Sequence, residues 1–370
     1  MHILITGADG FVGRNLRVHL EEAGHRRITA ITRRSTAGEL AAAAATADFV
    51  FHLAGVNRPA DPAEHDRGNA GFTAEVCAAL QAAGRAVPIA FTSSTQAALD
   101  NPYGRSKHRA EEILLRHAET TGAAVHIYRL TNVFGKWSRP DYNSVVATFC
   151  HNIARGLPVV VHDRDAPLRL TFIDDVVVSF LRLVKSAAPS AGYHDVEPIH
   201  ETTVGAVYDM IEEFAASRAT LEPGRVGTGL RRALYATYVS FLPPDAFAYQ
   251  VPRHADPRGE FVELLKTPDC GQCSYFTAHP GVTRGGHYHH AKTERFLVIA
   301  GSARFAFRHV VSGERHEITV HGAEGRIVET APGWAHDVTN VGDDELVCML
   351  WANECFDRSR PDTIPMRVDP

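Results

Sequence analysis

His2-Ile3-Leu4-Ile5-Thr6-Gly7-Ala8-Asp9-Gly10-Phe11-Val12-Gly13 opens the chain after its first residue, and the reading of this stretch decides the first half of the fold. Five β-prone residues run without a break into GxxGxxG and then into an apparent helix. That is the one context in which the glycine spacing carries meaning. Gly7 permits the tight turn, Gly10 lets the backbone approach a pyrophosphate, and Gly13 allows the helix to pack closely on the strand, with phosphates facing the helix N-terminus. Phe11 and Val12 fall inside the same cofactor-facing turn. A glycine-rich turn without a ligand is the plainer alternative, but position, strand and helix agree against it.

Outward from this turn, β-rich runs at 2–6, 28–32, 48–53, 87–92 and 125–130 alternate with stretches of helical composition such as 72–83 and 111–120. This is the βαβ rhythm of an α/β Rossmann-like, doubly wound parallel sheet. The second strand would end an NAD site with an acidic residue on the ribose. Here it runs into Arg33 and Arg34, whose guanidinium groups suit a 2′-phosphate, so NADP(H) is the expected cofactor. The bland alternative is a pair of solvated surface arginines.

Ser94 closes the strand beginning at Ile89, and Asn101-Pro-Tyr103-Gly-Arg-Ser-Lys107 follows shortly. YxxxK at helical spacing puts Tyr103 and Lys107 on one face. Reduction of a ketone needs a proton for the oxygen as hydride reaches the carbon; Tyr103 would supply it, Lys107 would tune the phenol, and Ser94 would orient the carbonyl. Alone, YxxxK is a weak signal. After GxxGxxG and a serine-ended strand it predicts a catalytic set.

These residues resemble the extended short-chain dehydrogenase/reductase family of nucleotide-sugar enzymes over about residues 1–240. Leu53, Ala54 and Gly55 match the family's cofactor-lining strand end, and Asn132, in Arg129-Leu-Thr-Asn132-Val-Phe-Gly135, matches a sugar-nucleotide contact. As a plain turn residue Asn132 would need no ligand. Two departures stand out. The segment between Arg34 and Asp48 has room for one helix but not for the family's edge strand, so that strand is expected to be missing and the adenine site to be open. The loop from Ser94 to Tyr103 is short, so the family's sugar contacts from it do not transfer.

Past Thr237 the texture changes. Phe241-Leu-Pro-Pro-Asp-Ala-Phe-Ala-Tyr-Gln-Val-Pro252 is rich in proline and reads as a linker, placing a reductase domain at 1–245 and a second domain at 246–370. In the second domain β-prone runs at 261–265, 295–299, 303–309, 317–320 and 346–351 are punctuated by glycine-containing turns, the pattern of an all-β barrel. Gly281-x5-His287-x-His289-x4-Glu294-x6-Gly301 matches the first cupin motif at every fixed position, and Gly325 to Asn340, with His336, matches the second with its proline displaced by one. The domain therefore resembles a cupin jelly-roll barrel. His287 and His289 would alternate on a strand and, with Glu294 and His336, form a site for a divalent metal, zinc first for a non-redox role. A hydrogen-bonded polar core without metal is the competing reading.

Asp256-Pro-Arg258-Gly-Glu-Phe261-Val-Glu263 with Arg284-Gly-Gly-His287 is similar to motifs of deoxysugar-nucleotide epimerases, in which arginines hold the diphosphate and the histidine is the base. The resemblance makes Arg258, Phe261, Glu263 and Arg284 candidate substrate contacts and gives His287 a second role, which conflicts with ligation. An ion pair on the surface is the alternative for Arg258 and Glu263.

The order of the halves, with Ile5–Leu16, His52–Pro59, Asp100–Lys107, Tyr142–Cys150 and His287–Glu294, resembles over essentially the whole chain the capsular and O-antigen polysaccharide enzymes of the CapF (WbjC) type. The resemblance implies a bifunctional, homodimeric enzyme on the path to UDP-N-acetyl-L-fucosamine. Its barrel would epimerise C3 of a UDP-linked 4-keto-6-deoxy amino sugar, and its reductase would reduce C4 with NADPH. Two rival readings are a reductase with a non-catalytic, dimerising barrel and a non-enzymatic NADP(H)-sensing regulator.

Composition sets the outer bounds. With 370 residues, 45% apolar and 22% charged, the chain has ordinary globular usage and room for two cores. A net charge of −5 with no long basic run argues against nucleic acid as a partner. The short apolar run at the N-terminus is no signal sequence, and no stretch suits a membrane span, which makes a cytoplasmic location the default expectation. Six cysteines in so long a chain do not form a disulfide framework; the Cys270-Gly-Gln-Cys273 pair, with no second CxxC, reads as structural.

Overall fold

The parallel half begins as its sequence requires. β1 (His2–Thr6) feeds α1 (Phe11–Glu22), β2 (Arg27–Ile31), α2 (Ala37–Thr46) and β3 (Phe49–His52). Ala37–Thr46, rich in the strong helix former alanine, forms α2, and Thr36 and Glu39 make a capping box at its start. Then come α3 (Ala63–Asp66), a π-helical turn (Arg67–Gly71), α4 (Phe72–Ala82), β4 (Ile89–Ser94), α5 (Pro102–Thr121), β5 (Val125–Leu130) and β6 (Asn132–Phe134). α6 (Val145–Ile153), β7 (Pro167–Phe172), α7 (Ile173–Lys185), β8 (Gly192–His194), β9 (His200–Thr203), α8 (Val204–Thr220) and α9 (Gly229–Ser240) follow in the chain. This computed structural model describes residues 1–185, 190–251, 253–256, 259–262, 265, 271–354 and 359–369.

The main sheet has the order β2-β1-β3-β4-β5-β8 and is parallel throughout. β2 is thus its outer strand, as the short segment between Arg34 and Asp48 implies. A smaller sheet runs β6-β7-β9. The core joins Leu4, Val50, Ile89, Phe91 and Ile127 of the strands to Leu40 of α2, Val76 and Leu80 of α4, and Leu114 of α5. Each such side chain contributes about 1.5–3 kcal/mol by leaving water.

Contacts divide the chain into two units, residues 1–144 with 168–201, and residues 145–167 with 202–370. The linear division at 245 separates stretches of sequence rather than groups of contacts. In the second unit β10 (Ala248–Gln250), β11 (Arg253–Asp256), β12 (Gly259–Val262), β13 (Gln272–Ala278), β14 (Thr283–Tyr288), β15 (Glu294–Ala300), β16 (Ser302–His309), β17 (Arg315–His321), β18 (Arg326–Glu329), β19 (Trp334–Asn340), β20 (Leu346–Ala352) and β21 (Ile364–Pro365) follow. Two five-stranded sheets, β10-β18-β15-β20-β13 and β17-β16-β19-β14-β21, form the barrel, with β11-β12 as a separate hairpin. Phe296 and Phe305 meet between the sheets at 5.5 Å.

The proline-rich stretch after Ser240 is packed, which corrects its reading as a linker. Proline suits the start of a 3₁₀ turn at Pro244–Phe247. Phe247 is fully buried, edge-on to Phe307 at 5.4 Å and to Trp334 at 5.2 Å. Deeper, Arg295 donates to Glu329 (3.0 Å) and to the Tyr235 hydroxyl (2.9 Å), Tyr235 donates to Glu329 (3.0 Å), and Arg218 donates to the other Glu329 oxygen (3.2 Å). Burial pushes Glu329 up, but the two arginines win and hold it below the usual carboxylate range. This network ties α8 and α9 to β15 and β18.

Candidate active site

The turn after β1 is shaped for close approach. Gly7 has φ +68°, and a side chain there would stand 2.7 Å from the Ala54 backbone. A Cβ at Gly13 would meet the Gly7 carbonyl oxygen at 2.3 Å, so only glycine lets α1 sit against the turn. The N-terminus of α1 has no side-chain cap and no acid in its first turn, which leaves its amides for an anion. Phe11, Val12, Leu53 and Ala54 are half-buried and Gly10 and Gly55 exposed around this turn. Arg33 and Arg34 are exposed in the turn that follows β2. These features fit a dinucleotide.

Ser94 ends β4 and Tyr103 and Lys107 lie in the first turns of α5, which Asn101 caps by accepting from Gly104 N–H at 2.8 Å. Burial lifts the Tyr103 phenol to about 12 against a hydrogen bond with Ser94 that lowers it. The phenol is therefore protonated at neutral pH. Lys107 is buried and donates to the Thr92 carbonyl at 2.8 Å; burial brings its ammonium down to about 8 while Glu111 opposes the change. Lys107 stays charged at pH 7, its Nζ 3.2 Å from where a Gly55 side chain would begin. Asn132, exposed at the start of β6, stands apart from these hydrogen bonds.

Sequence reasoning missed three supporting residues. Asn69, buried in the π-helical turn, accepts from Val56 N–H at 2.9 Å and donates to Ser106 at 2.9 Å, with its oxygen beside Gly55. Glu111 follows Lys107 by one helical turn, accepts from Ser93, and takes two hydrogen bonds from Arg129 at 3.0 and 2.6 Å. The i,i+4 spacing was the available signal. His52 lies 2.7 Å from Thr6 and 2.8 Å from Thr73; because Thr73 donates to the Asn69 carbonyl, His52 Nε2 must donate to Thr73 and Nδ1 accept from Thr6.

In the barrel unit His287, His289, Glu294 and His336 present donor atoms that all lie within 4.8 Å of one another. His336 on β19 pairs with His287 on β14, and Glu294 opens β15 in the facing sheet. His289 lies one residue past the end of β14, whose register shifts between Gly285 and His287. The two histidines therefore do not alternate along one regular strand, yet their rings stand 5.0 Å apart. Nε2 of His289 and of His336 are 3.2 and 3.3 Å from Glu294 Oε2, without hydrogen-bond geometry to any described residue. Burial pushes Glu294 up, but the two imidazoles outweigh it and hold the carboxyl well below its usual range. Burial, with His336 and His289, lowers His287 to about 3, and burial lowers His336. Three imidazoles around a buried carboxylate, with two ring nitrogens that have no hydrogen-bond partner among the described residues, make a donor set that fits a divalent metal.

Arg284 is exposed on β14, where it donates to the Thr277 carbonyl at 2.9 Å and covers Phe276. Phe261 lies on β12; Arg258 and Glu263 lie outside the described residues, as does Cys270.

Residues 3–197 match the NAD dependent epimerase/dehydratase family and residues 254–364 the polysaccharide biosynthesis C-terminal domain. A UDP-2-acetamido-2,6-beta-L-arabino-hexul-4-ose reductase of Pseudomonas aeruginosa is 55% identical over 368 residues, spanning 100% of this chain and 99% of the relative. The capsular polysaccharide assembling protein CapF from Staphylococcus aureus superposes with TM-score 0.69 at 40% identity, covering 100% of both chains. This chain belongs to the CapF-type branch of the NAD dependent epimerase/dehydratase family. As a CapF-type protein it is an enzyme of the reductase and epimerase class with a nicotinamide cofactor. The UDP-glucose 4-epimerase of Thermus thermophilus, 20% identical with TM-score 0.51 over 58% of this chain and 84% of that one, shares the fold. Among the described residues no helix is long and apolar enough to cross a membrane.

Proposed function

We propose that this CapF-type chain is a bifunctional enzyme acting in sequence on a UDP-linked 2-acetamido-2,6-dideoxy-4-ketohexose. The barrel, in 246–370, inverts C3, and the reductase, in 1–245, reduces C4 with NADPH to UDP-2-acetamido-2,6-dideoxy-L-talose, on the way to UDP-N-acetyl-L-fucosamine. The observation that carries the reading is the coexistence in one chain of Ser94 at the end of β4 with Tyr103 and the buried Lys107 in the first turns of α5, and of a four-residue donor cluster in the barrel. The printed reductase activity of the Pseudomonas aeruginosa relative supports the reductase half of this reading.

The C4 ketone acidifies the C3 hydrogen. A base in the barrel removes that proton to give an enolate, and reprotonation on the opposite face inverts C3. His287, His289, Glu294 and His336 would hold a divalent metal, zinc first, which when bound polarises a substrate oxygen. His287 counts as ligand if metal is found and as base if the barrel works without it. Arg258, Phe261, Glu263 and Arg284 are proposed to hold the substrate in the barrel.

In the reductase, a bound nicotinamide supplies hydride to C4. Ser94 orients the C4 oxygen, Tyr103 gives it the proton, and Lys107 keeps a positive charge near the phenol as that proton leaves. Asn132 is assigned to the sugar nucleotide. Gly7, Gly10, Gly13 and the α1 N-terminus hold the pyrophosphate, and Arg33 and Arg34 the 2′-phosphate. The working enzyme is proposed to be a cytoplasmic homodimer.

Incubation with the 4-keto UDP-sugar and either NADPH or NADH, with NMR of the product, tests the reading. The expected outcome is the L-talo product and a clear preference for NADPH. A product reduced at C4 with C3 unchanged would leave only the reductase, and equal efficiency with both cofactors would remove the roles of Arg33 and Arg34.

A further inference from the structure

The cluster in the barrel is held from an unexpected quarter. Asp362, far beyond the last motif histidine, accepts three consecutive backbone N–H groups, from His290 at 2.8 Å and from Ala291 and Lys292 at 2.7 Å each. Those amides belong to the loop that joins His289 to Glu294, so one carboxylate fixes the path between two members of the cluster. Three successive amides turned toward one anion form a nest. The main-chain carbonyl of Asp362 also accepts from His289 Nδ1. With Nδ1 protonated and donating, the lone pair of His289 is on Nε2, the atom that faces Glu294.

The neighbouring residues continue the same support. Thr363 Oγ1 accepts from Lys292 Nζ at 3.3 Å, and that ammonium lies 3.1 Å from Glu294 Oε1. Oε1 is thereby engaged, and Oε2 is left toward the imidazoles. Ile364 and Pro365 form β21 against Tyr288 and His287, and Met366 N–H donates to Gly286 at 2.9 Å. Further along, Val368 is buried and Asp369 accepts from Arg315 at 2.9 Å, which anchors the end of the segment.

The geometry points to residues 362–366 as the outer shell of the barrel's metal centre, with Asp362 as its chief positioning residue. The inference rests on the reading of His287, His289, Glu294 and His336 as metal ligands. Asp362 touches none of the reacting atoms; it sets the tautomer of one ligand and the approach of the next, and partners of this kind govern affinity and geometry at metal sites.

The test is a titration of the chelator-stripped full chain with cobalt(II), read by visible absorption, for the unaltered protein, Asp362→Ala and Asp362→Asn. Asp362→Ala is expected to weaken cobalt binding by about 10- to 100-fold and to change the absorption bands, and Asp362→Asn, which keeps one acceptor oxygen, to fall between. A merely structural residue would lower the melting temperature of the stripped protein and leave the bands of the loaded form unchanged. If Asp362→Ala fails to fold, Asp362→Asn decides by the same readouts. Equal affinity and identical bands in a folded variant overturn the inference. No cobalt uptake by the unaltered protein overturns the metal reading itself, and the inference with it.

Discussion

The two candidate sites are built in opposite ways. Ser94, Tyr103 and Lys107 come from one strand end and the helix that follows it, and their nearest support, Glu111, is on the same helix. The barrel cluster draws on β14, the loop after it, β15 and β19, and its support comes from residues 362–366. A site assembled from local sequence depends on a few short-range bonds. One assembled from distant strands depends on the integrity of the whole unit. The difference predicts which damage each site survives.

The sharpest way to break the comparison is to remove the hydroxyl proposed as the proton donor. Tyr103→Phe is expected to lower hydride transfer to C4 by about 10²–10⁴-fold, the usual loss of a general acid. In D₂O the same variant should still place deuterium at C3 of the keto-sugar. Loss of both reactions, with folding and substrate binding preserved, would assign both steps to one site.

A second break strikes the barrel unit through its buried charges. Glu329→Ala leaves Arg295 and Arg218 without their carboxylate and is expected to cost about 3–5 kcal/mol. Hydrogen exchange followed by mass spectrometry should show the loss in peptides of α8, α9 and β15, with β1 to β5 little changed. Uniform loosening of both units would show that the units do not stand apart energetically.

The third sharpens the comparison on the other side. Burial, with the Lys107 charge, lowers His52 to about 3, so the unfolded chain binds the proton first as pH falls. Stability from His52 is complete above its unfolded value of about 6.5 and is lost below it, about 2 kcal/mol by pH 5. Protection factors in β1 and β3, taken relative to the intrinsic exchange rate at each pH, should therefore fall between pH 6.5 and 5, and His52→Gln should flatten that dependence. An unchanged slope in the variant would show that another group sets the acid limb.

What the sequence disclosed follows the same division. The parallel strands of the main sheet before β8 were legible to within about three residues because β-prone runs end at turn residues. So were α4 and the glycine turn, while α2 was foreseen only as one helix between Arg34 and Asp48. β14 was read only through its motif, as a strand carrying His287 and His289, and not from its composition, since Thr283-Arg-Gly-Gly-His-Tyr288 has two glycines and few β-formers. The packing of Phe247 was hidden because proline-rich composition signals a break without saying what lies on either side. Ligand spacing in the cupin motif disclosed the cluster, yet Asp362 and the Arg295–Glu329–Tyr235 network carry no local pattern. Their partners are joined only by the fold.

The interleaving of the two units has a consequence for synthesis on the ribosome. α6 is made before the first unit is closed by β7 and β8, yet it belongs to the second. Its Val146, Phe149 and Cys150 are buried in the finished protein, where Phe149 stands edge-on to Tyr208 of α8. Until Val204 to Ser240 emerges, the helices that cover this apolar face do not exist. At about 5–20 residues per second the nascent chain carries it for several seconds, and in that interval the growing polypeptide is most in need of a chaperone's shelter.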